Sequence, residues 1–582
     1  MRFQPTQRFA RCRIGVAILG VLCAVSATAE PVFDERAAEL GLDFVHRNGM
    51  RGEYFFSEMM GPGVALADVD GDGDLDVYLV QGGPLASRSS AQLPTDRLFR
   101  NDLIETGQLA FTDVTVAAGL TLATEYGMGV AAGDFDDDGR VDLYLTNFGR
   151  NQLLRNEGID DRGQVRFRDV TDEAGAGDRR WSVSASFSDL DRDGRLDLFV
   201  ANYVDYALAI HKPCRNYTGA PDYCSPLAYG PEPDRLLRNV GGRFERATES
   251  AGLAKTFGAG LGVVAADLDD NGWTDLYVAN DQSANQMWMN QGESAGSGPR
   301  FADESLLGGT GVNAEGRPEA GMGVAAGDPD GDGDVDLLVS HLVRETHTLY
   351  LNQGGGFFDD RTQDSGLAQA SWDATGFGAV WLDFDSDGNL DLAVANGAVK
   401  HLEHLLRAGD PFPLHQPNQL FRNLGAQPAG PRFEDVTPRA GEAWALSEVS
   451  RGLAVGDVDN DGDPDLLVGN NNGPVRLLLN RTPRSGAWLG LRLLESSGRD
   501  ALGAHVRIDR EGSRAIRRTV RTDGSYASAS DPRILVTLGT GEVTRIEVTW
   551  ADGTRESFSS SMVKPGVYTT LRRGSGGAKT AE

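Results

Sequence analysis

The chain has 582 residues, with 55 Lys and Arg against 85 Asp and Glu, a formal net charge of −30, 40% hydrophobic residues and 74 Gly. That apolar fraction supports a large core in more than one domain and excludes a disordered or fibrous chain. The acidity disfavours nucleic acid and anionic membranes, whose binding rests on Lys and Arg neutralising phosphates, and leaves solubility or cation binding to explain the excess.

At the N-terminus, Arg2, Arg8, Arg11 and Arg13 precede an apolar run from Ile14 to Val25 that closes on Ala27-Thr28-Ala29. Basic region, apolar region and A-x-A site, in that order, predict a signal peptide over residues 1–29 and an exported protein, periplasmic or secreted. The run is too short to span a bilayer. No twin-Arg pair lies upstream, and Cys23 follows Leu22 where a lipid-anchor site would want a small residue. No later segment has the apolar length of a membrane span.

A repeated loop then organises the chain. Asp68, Asp70, Asp72 and Asp76 occupy positions 1, 3, 5 and 9 of a D-x-D-x-D-G-x-x-D run. The same positions recur as Asp134, Asp136, Asp138 and Asp142, then as Asp189, Asp191, Asp193 and Asp197. The fourth copy has Asp267, Asp269, Asn271 and Asp275, and the fifth Asp328, Asp330, Asp332 and Asp336. The sixth has Asp383, Asp385, Asp387 and Asp391, and the seventh Asp457, Asp459, Asp461 and Asp465.

Alternate carboxylates, a Gly at position 6 for the turn, a backbone carbonyl at 7 and a carboxylate at 9 make a shell of hard oxygens suited to Ca2+, in up to seven sites. Mg2+ fits less well, because it retains water and demands an octahedral shell. EF-hand and dockerin loops share the first half but need a following helix and an acid at position 12, where this chain has Leu79, Leu145 or Val339. A single copy could equally be a hydrated Asp-Gly turn; seven copies that all keep the acid at position 9 argue for cations. The fourth loop, with Asn271 and Trp273, is expected to be the weakest. With dissociation constants of roughly 0.1–1 mM, millimolar calcium would contribute on the order of 0.5–1.5 kcal/mol per site.

The flanks repeat too. A small-residue strand such as Gly127–Gly133 precedes each loop, a short apolar strand such as Leu143–Asn147 follows, and a third strand ends in Asn, as at Asn156, Asn290 and Asn423. A fourth begins with Phe, at Phe111, Phe167, Phe244, Phe301, Phe358 and Phe433. Four short strands per unit predict an all-β, seven-bladed β-propeller over residues 30–484. The seventh unit lacks its Phe strand, and Phe33 with the Ala38–Leu42 tail supplies one, so the N-terminal strand is expected to complete the last blade and remove an open edge.

Cys214 and Cys224 lie in one long insertion, 203–233, and export makes a disulfide between them the simplest expectation. Their spacing is not that of a C-x-x-C redox pair. A second insertion, 397–417, carries His401, His404 and His415 without an H-E-x-x-H spacing, so loop histidines are expected there and not metal ligands. Most Trp residues lie in or beside repeat strands, which favours core packing. Residues 485–573 read as a small, mildly basic β domain with strands at 488–494, 504–509, 534–538 and 545–550, followed by a flexible Gly-Ser-rich tail at 574–582.

The units resemble FG-GAP/VCBS repeats, the calcium-loop blades of integrin α-subunit propellers, and Phe257-Gly-Ala-Gly and Gly376-Phe-Gly-Ala379 echo the namesake motif. Beyond Arg484, Trp488–Leu493, Arg499–Ala504, Gly524–Arg533 and Ile546–Gly553 are similar to the ASPIC/UnbV domain, although Val536-Thr-Leu-Gly539 departs from its usual F-G-L-G. Together these parts resemble the cartilage acidic protein family in the order shown by its bacterial members. The resemblance implies secretion, calcium loops and recognition or adhesion, and it supplies no reaction. No catalytic constellation stands out, so the expected function is non-catalytic binding of an extracellular or cell-surface protein or glycan, the two insertions being the best candidate face. The rival is an extracytoplasmic enzyme acting on glycans or related polymers from the central channel or the insertion loops, since propellers host both.

Overall fold

The computed structural model describes residues 32–85, 94–120, 125–216, 218–292, 298–427 and 430–580. The proposed signal peptide lies outside them. Among the described residues the chain is all-β with a few short helical turns, and no helix is long and apolar enough to cross a membrane.

Seven four-stranded antiparallel sheets follow one another along the chain. The first comprises Val64–Ala67, Asp76–Leu79, Arg97–Asn101 and Phe111–Asp113, and the next five repeat its meander order. The seventh is Ser450–Gly456, Asp465–Asn470 and Arg476–Asn480, with Phe33–Glu35 as fourth strand. Phe33 pairs with Asn480 and Glu35 with Leu478, so the N-terminal strand completes the last sheet as the Phe pattern implied. Six further Phe residues lie in the fourth strands of the other sheets, opening four of them and standing inside Val165–Asp169 and Gly430–Asp435 in the other two, and all seven are at most 7% exposed, which explains the repetition: each anchors an outer strand that would otherwise hold only by its ladder.

The first strand of each sheet packs against those of the sheets before and after it, Ser450–Gly456 against Val64–Ala67 included. Apolar cores lie between consecutive sheets. Val64, Leu66 and Val77 of the first meet Ala454, Leu467 and Leu477 of the seventh, as Ala65 and Tyr78 meet Val130 and Leu143 of the second. A polar clamp runs alongside these cores. The Asn expected to end each third strand, which in Gln152–Ile159 and Gln419–Gln427 lies inside the strand, donates from Nδ2 to the carbonyl at loop position 2 of the preceding sheet. Asn156 bonds Val69, Asn239 Phe135, Asn290 Leu190, Asn352 Leu268, Asn423 Pro329 and Asn480 Phe384, at 2.7–2.9 Å.

The C-terminal module has two sheets. Ala487–Leu494 lies between Ile534–Gly539 and Tyr568–Arg572, parallel to the latter. The second sheet runs Ser513–Thr519, His505–Arg510, Val543–Thr549, Arg555–Ser559, Gly577–Thr580. The four expected strands are present within a residue or two. Three more, 513–519, 555–559 and 568–572, are too polar in pattern to stand out. Gly577–Thr580, expected as part of a flexible tail, pairs instead with Arg555–Ser559, because that edge offers free ladder groups.

Between these sheets a segment leaves the module and enters the space bounded by the seven first strands. Ala529 N–H donates to Val64 O at 2.9 Å, Val130 N–H to Ala527 O at 3.0 Å, and Ala527 N–H to Ser184 Oγ at 3.0 Å. Ala265 N–H donates to Asp523 Oδ2 at 2.8 Å, Val324 N–H to Ser525 O at 3.0 Å, and Asp531 N–H to Val455 O at 3.1 Å. Tyr526, fully buried, packs edge-on against Phe377 of the sixth sheet with centroids 4.8 Å apart. The segment thus touches all seven first strands. Gly63 marks the tightness of the fit, because a Cβ there would collide with the Ala527 carbonyl. The space among the seven first strands is occupied by the chain itself.

Candidate metal centres

Each Asp-rich loop joins the first strand of a sheet to the second. Its turn requires two left-handed residues. Position 6 is always Gly with positive φ, and position 4 also has positive φ, as Gly71 and Gly331 in two loops and as Asp137, Arg192, Asp270, Ser386 and Asn460 in the others, at 55–61°. Such strain on residues with side chains costs roughly 1–3 kcal/mol each and persists only where the surroundings enforce it.

Part of that enforcement comes from the carboxylates. In loops 2, 3, 4, 6 and 7 the position-1 Asp accepts the N–H of position 5 on one oxygen and of position 6 on the other; for Asp134 these are Asp138 at 3.1 Å and Gly139 at 2.7 Å. The position-9 Asp braces the blade. Its Oδ1 accepts the N–H of the clamp Asn in all seven sheets, at 2.7–2.9 Å. Its Oδ2 accepts the N–H of position 2 in six. In the fifth loop Pro329 has no N–H to give, and Asp336 Oδ2 is buried without a partner. Position 9, read from the sequence as a ligand, is therefore also the joint between loop and third strand.

Carboxylate oxygens of Asp68, Asp70 and Asp76 lie within 4.8 Å of one another, as do those of Asp134, Asp136 and Asp142, of Asp189, Asp191 and Asp193, and of Asp267, Asp269 and Asp275. Burial, reinforced by the neighbouring carboxylates, pushes Asp76, Asp142, Asp197, Asp391 and Asp465 well above the ordinary range. Asp134 is raised to about 6 and Asp189 to about 7, both by burial first, and Asp275 to about 8. The observation that tests the fit is a set of orphaned oxygens. Oδ1 of Asp136, Asp191, Asp328, Asp385 and Asp459 and Oδ2 of Asp72 are buried with no hydrogen-bond partner among the described residues. Bare carboxylate oxygens facing other carboxylates are costly unless protonated or bound to a cation, so the donor set fits a hard divalent ion. In the fourth loop Asn271 Nδ2 donates to Asp269 Oδ2 at 3.0 Å, a neutral substitute for part of that compensation.

The C-terminal module sits on this face. Arg492 bridges Asp68 at 2.7 Å and Asp500 at 2.9 Å, and the Tyr568 hydroxyl donates to Asp457 Oδ2 at 3.0 Å. At the other end of the strands the two insertions meet. His401 N–H reaches Asp222 Oδ2 at 3.3 Å, and Lys400 Nζ bonds the Tyr223 carbonyl. Cys214 and Cys224 form the expected disulfide. His401 is not a free loop histidine: its side chain is 8% exposed, stands 3.3 Å from Asp222 Oδ1, and packs edge-on against Tyr54 and Tyr223. Neither the clamp Asn nor the channel-filling segment was identified as functional from sequence. The recurring Asn before each Gly-rich turn was the available signal for the first.

Residues 68–145, 134–200, 267–339 and 328–394 match the FG-GAP-like repeat, 451–487 the FG-GAP repeat, and 494–577 the ASPIC and UnbV family. Cartilage acidic protein 1 of Mus musculus is 26% identical over 513 residues, covering 85% of this chain and 71% of that protein. The Homo sapiens protein of the same name is 25% identical over 507 residues, covering 84% and 69%. Among solved structures, an Agrocybe aegerita lectin described as recognising non-reducing terminal N-acetylglucosamine overlaps with a TM-score of 0.35 at 15% identity, covering 72% of this chain and 94% of that one. Overlap at that level carries no argument.

Proposed function

Because this chain consists of FG-GAP-like repeats followed by an ASPIC/UnbV domain, we propose that it is an exported, calcium-stabilised seven-bladed β-propeller that acts non-catalytically in extracellular recognition or adhesion. The serial packing of first strands, with the seventh sheet on the first, supports the ring. The orphaned position-3 and position-5 oxygens support the cations: Asp136, Asp191, Asp385 and Asp459 each offer a buried oxygen that only a proton or an ion would satisfy. The loops would hold Ca2+ through positions 1, 3 and 5, the position-7 carbonyl and position 9, and the ion would neutralise carboxylates that the fold crowds together.

Binding is the reading best supported, because the channel is filled by Tyr526 and its neighbours and one face is covered by the C-terminal module. The exposed face at the other end of the strands carries the disulfide segment and the 397–417 insertion, and a protein or glycan ligand is assigned there. Arrayed glycans and an exported-protein pull-down, both with the mature chain in calcium, test this. Retention without turnover is expected, and shortened glycan products would replace the binding role with an enzymatic one.

A further inference from the structure

The seven loops divide into two groups according to what holds the position-3 carboxylate. In loops 3, 6 and 7 an Arg from the third strand, or from just beyond it, stands on Oδ2. Arg238 is 2.7 Å from Asp191, Arg422 2.9 Å from Asp385 and Arg481 3.0 Å from Asp459, whereas in loop 2 Arg155 turns to Glu157 at 2.6 Å and comes only to 4.0 Å from Asp136. In these three loops, and in loop 2, Oδ1 of that Asp is buried with no hydrogen-bond partner among the described residues. Loops 1, 4 and 5 differ on both counts. The residue before the clamp Asn is Arg100, Met289 or Leu351, and Arg100 turns to Asp102 at 2.6 Å and Glu105 at 3.6 Å. There Oδ1 of Asp70, Asp269 and Asp330 folds back onto the loop and accepts the N–H of position 5, at 3.3, 3.2 and 3.0 Å.

The correlation has a physical cause. An Arg from outside the loop that holds Oδ2 opposes the swing of Oδ1 onto the loop backbone and keeps it in the orientation a cation needs, whereas Asn271, which holds Asp269 Oδ2, belongs to the loop and leaves Oδ1 on the position-5 amide. A carboxylate closed on its own loop must first break its contact with that amide. Partners behind a ligand that fix its orientation commonly carry 10–100-fold in metal affinity. The guanidinium also repels a cation, which would act in the opposite sense, but it faces the oxygen that is not offered to the ion.

We propose that the free position-3 oxygen makes loops 2, 3, 6 and 7 a tight class of calcium sites, with Arg238, Arg422 and Arg481 the positioning residues that preorganise it in loops 3, 6 and 7, while loops 1, 4 and 5 fill later. This rests on the calcium reading above. It also replaces composition with geometry as the ground for ranking the loops: the first and fifth, with every acid present, join the fourth in the weaker class.

The test is calorimetric titration of CaCl2 into the chelator-stripped mature chain. Four tight equivalents are expected, followed by three weaker by about 10-fold or more. Arg238→Met should reduce the tight class to three and weaken the lost site by about 10–100-fold. Arg238→Lys should recover part of it, and Arg407→Gln, an exposed pair with Glu403, should change nothing. Arg422→Met repeats the test at a second loop. Terbium gives an independent readout, because Trp273 sits at position 7 of loop 4: the emission lost in Trp273→Phe should rise only after four equivalents are bound. A single class of seven sites, tighter or unchanged binding in an Arg238→Met protein that melts like the parent in saturating calcium, or loop-4 emission among the first four equivalents would each overturn the inference while leaving the calcium reading intact. A chain that binds no calcium would remove both.

Discussion

The side-chain amide of Asn101 donates to the carbonyl of Val458 at 2.9 Å, across 357 residues of sequence. It is the seventh member of the clamp series and the one that joins the first sheet to the last. With the strand Phe33–Glu35 it gives the proposed ring a polar fastening beside the apolar one between Val64, Leu66 and Leu477. Asn101→Ala would leave a buried carbonyl without its donor, at a cost of about 1–3 kcal/mol. Denaturant unfolding should show a lower midpoint, and amide exchange should quicken in 33–35 and 64–67 before the middle blades. A variant with the parental midpoint would show that the clamp is dispensable.

Chelation should lower the melting temperature by several degrees, since ions that bind only the folded loops stabilise by mass action. An unchanged melt after exhaustive EDTA treatment would count against metal in the loops.

The pH dependence should reverse with calcium. In the stripped protein Asp134, Asp189 and Asp275 are raised to about 6, 7 and 8. A raised folded pKa means that the folded state binds protons the unfolded state has released. Stability should therefore fall as pH rises from about 4 through 8. With saturating calcium the carboxylates must be deprotonated to bind, so apparent calcium affinity should rise over the same interval. Melting scans at pH 5 to 8 with and without calcium read both slopes, and parallel slopes would contradict the assignment.

Gly63→Ala should destabilise by about 1–3 kcal/mol through overpacking against Ala527, whereas Gly177→Ala, which meets only the Thr171 methyl at 3.6 Å, should cost far less. Limited proteolysis within 521–533 should accelerate in the first variant. Equal resistance in both would mean that the segment can leave its place among the first strands without cost.

Removing the disulfide with Cys214→Ser and Cys224→Ser should act locally, because its loop is short and stands at one end of the molecule. Exchange should rise in 203–233 and at Lys400 and His401, which rest on Tyr223 and Asp222. A loss of the whole cooperative transition would place the bridge in the core of the fold instead.

Much of this was legible in one sequence because it is repeated. A β-strand shows its pattern only through alternation, and these strands, buried on both faces, hardly alternate: Gly260–Ala266 is buried throughout. Seven copies of the Asp loop, the Asn ending and the Phe start compensated for that weak signal, and they fixed the unit, its number and the origin of the last outer strand at Phe33. Local chemistry also identified Cys214 and Cys224.

What repetition could not supply were contacts made once. Tyr526 lies in a run of Gly, Ala and Ser that carries no apolar pattern of its own, and only the convergence of seven first strands gives its ring a place to be buried. Asp222 and His401 are 179 residues apart, and their meeting depends on how two insertions emerge at the same end of the sheets. The orientation of each Asp was hidden as well. Composition says that Asp191 and Asp269 are the same residue at the same position, but Arg238 from a neighbouring strand holds one of them open and the other closes on its own backbone. Residue type fixes which oxygens a loop contains; packing decides which of them are free.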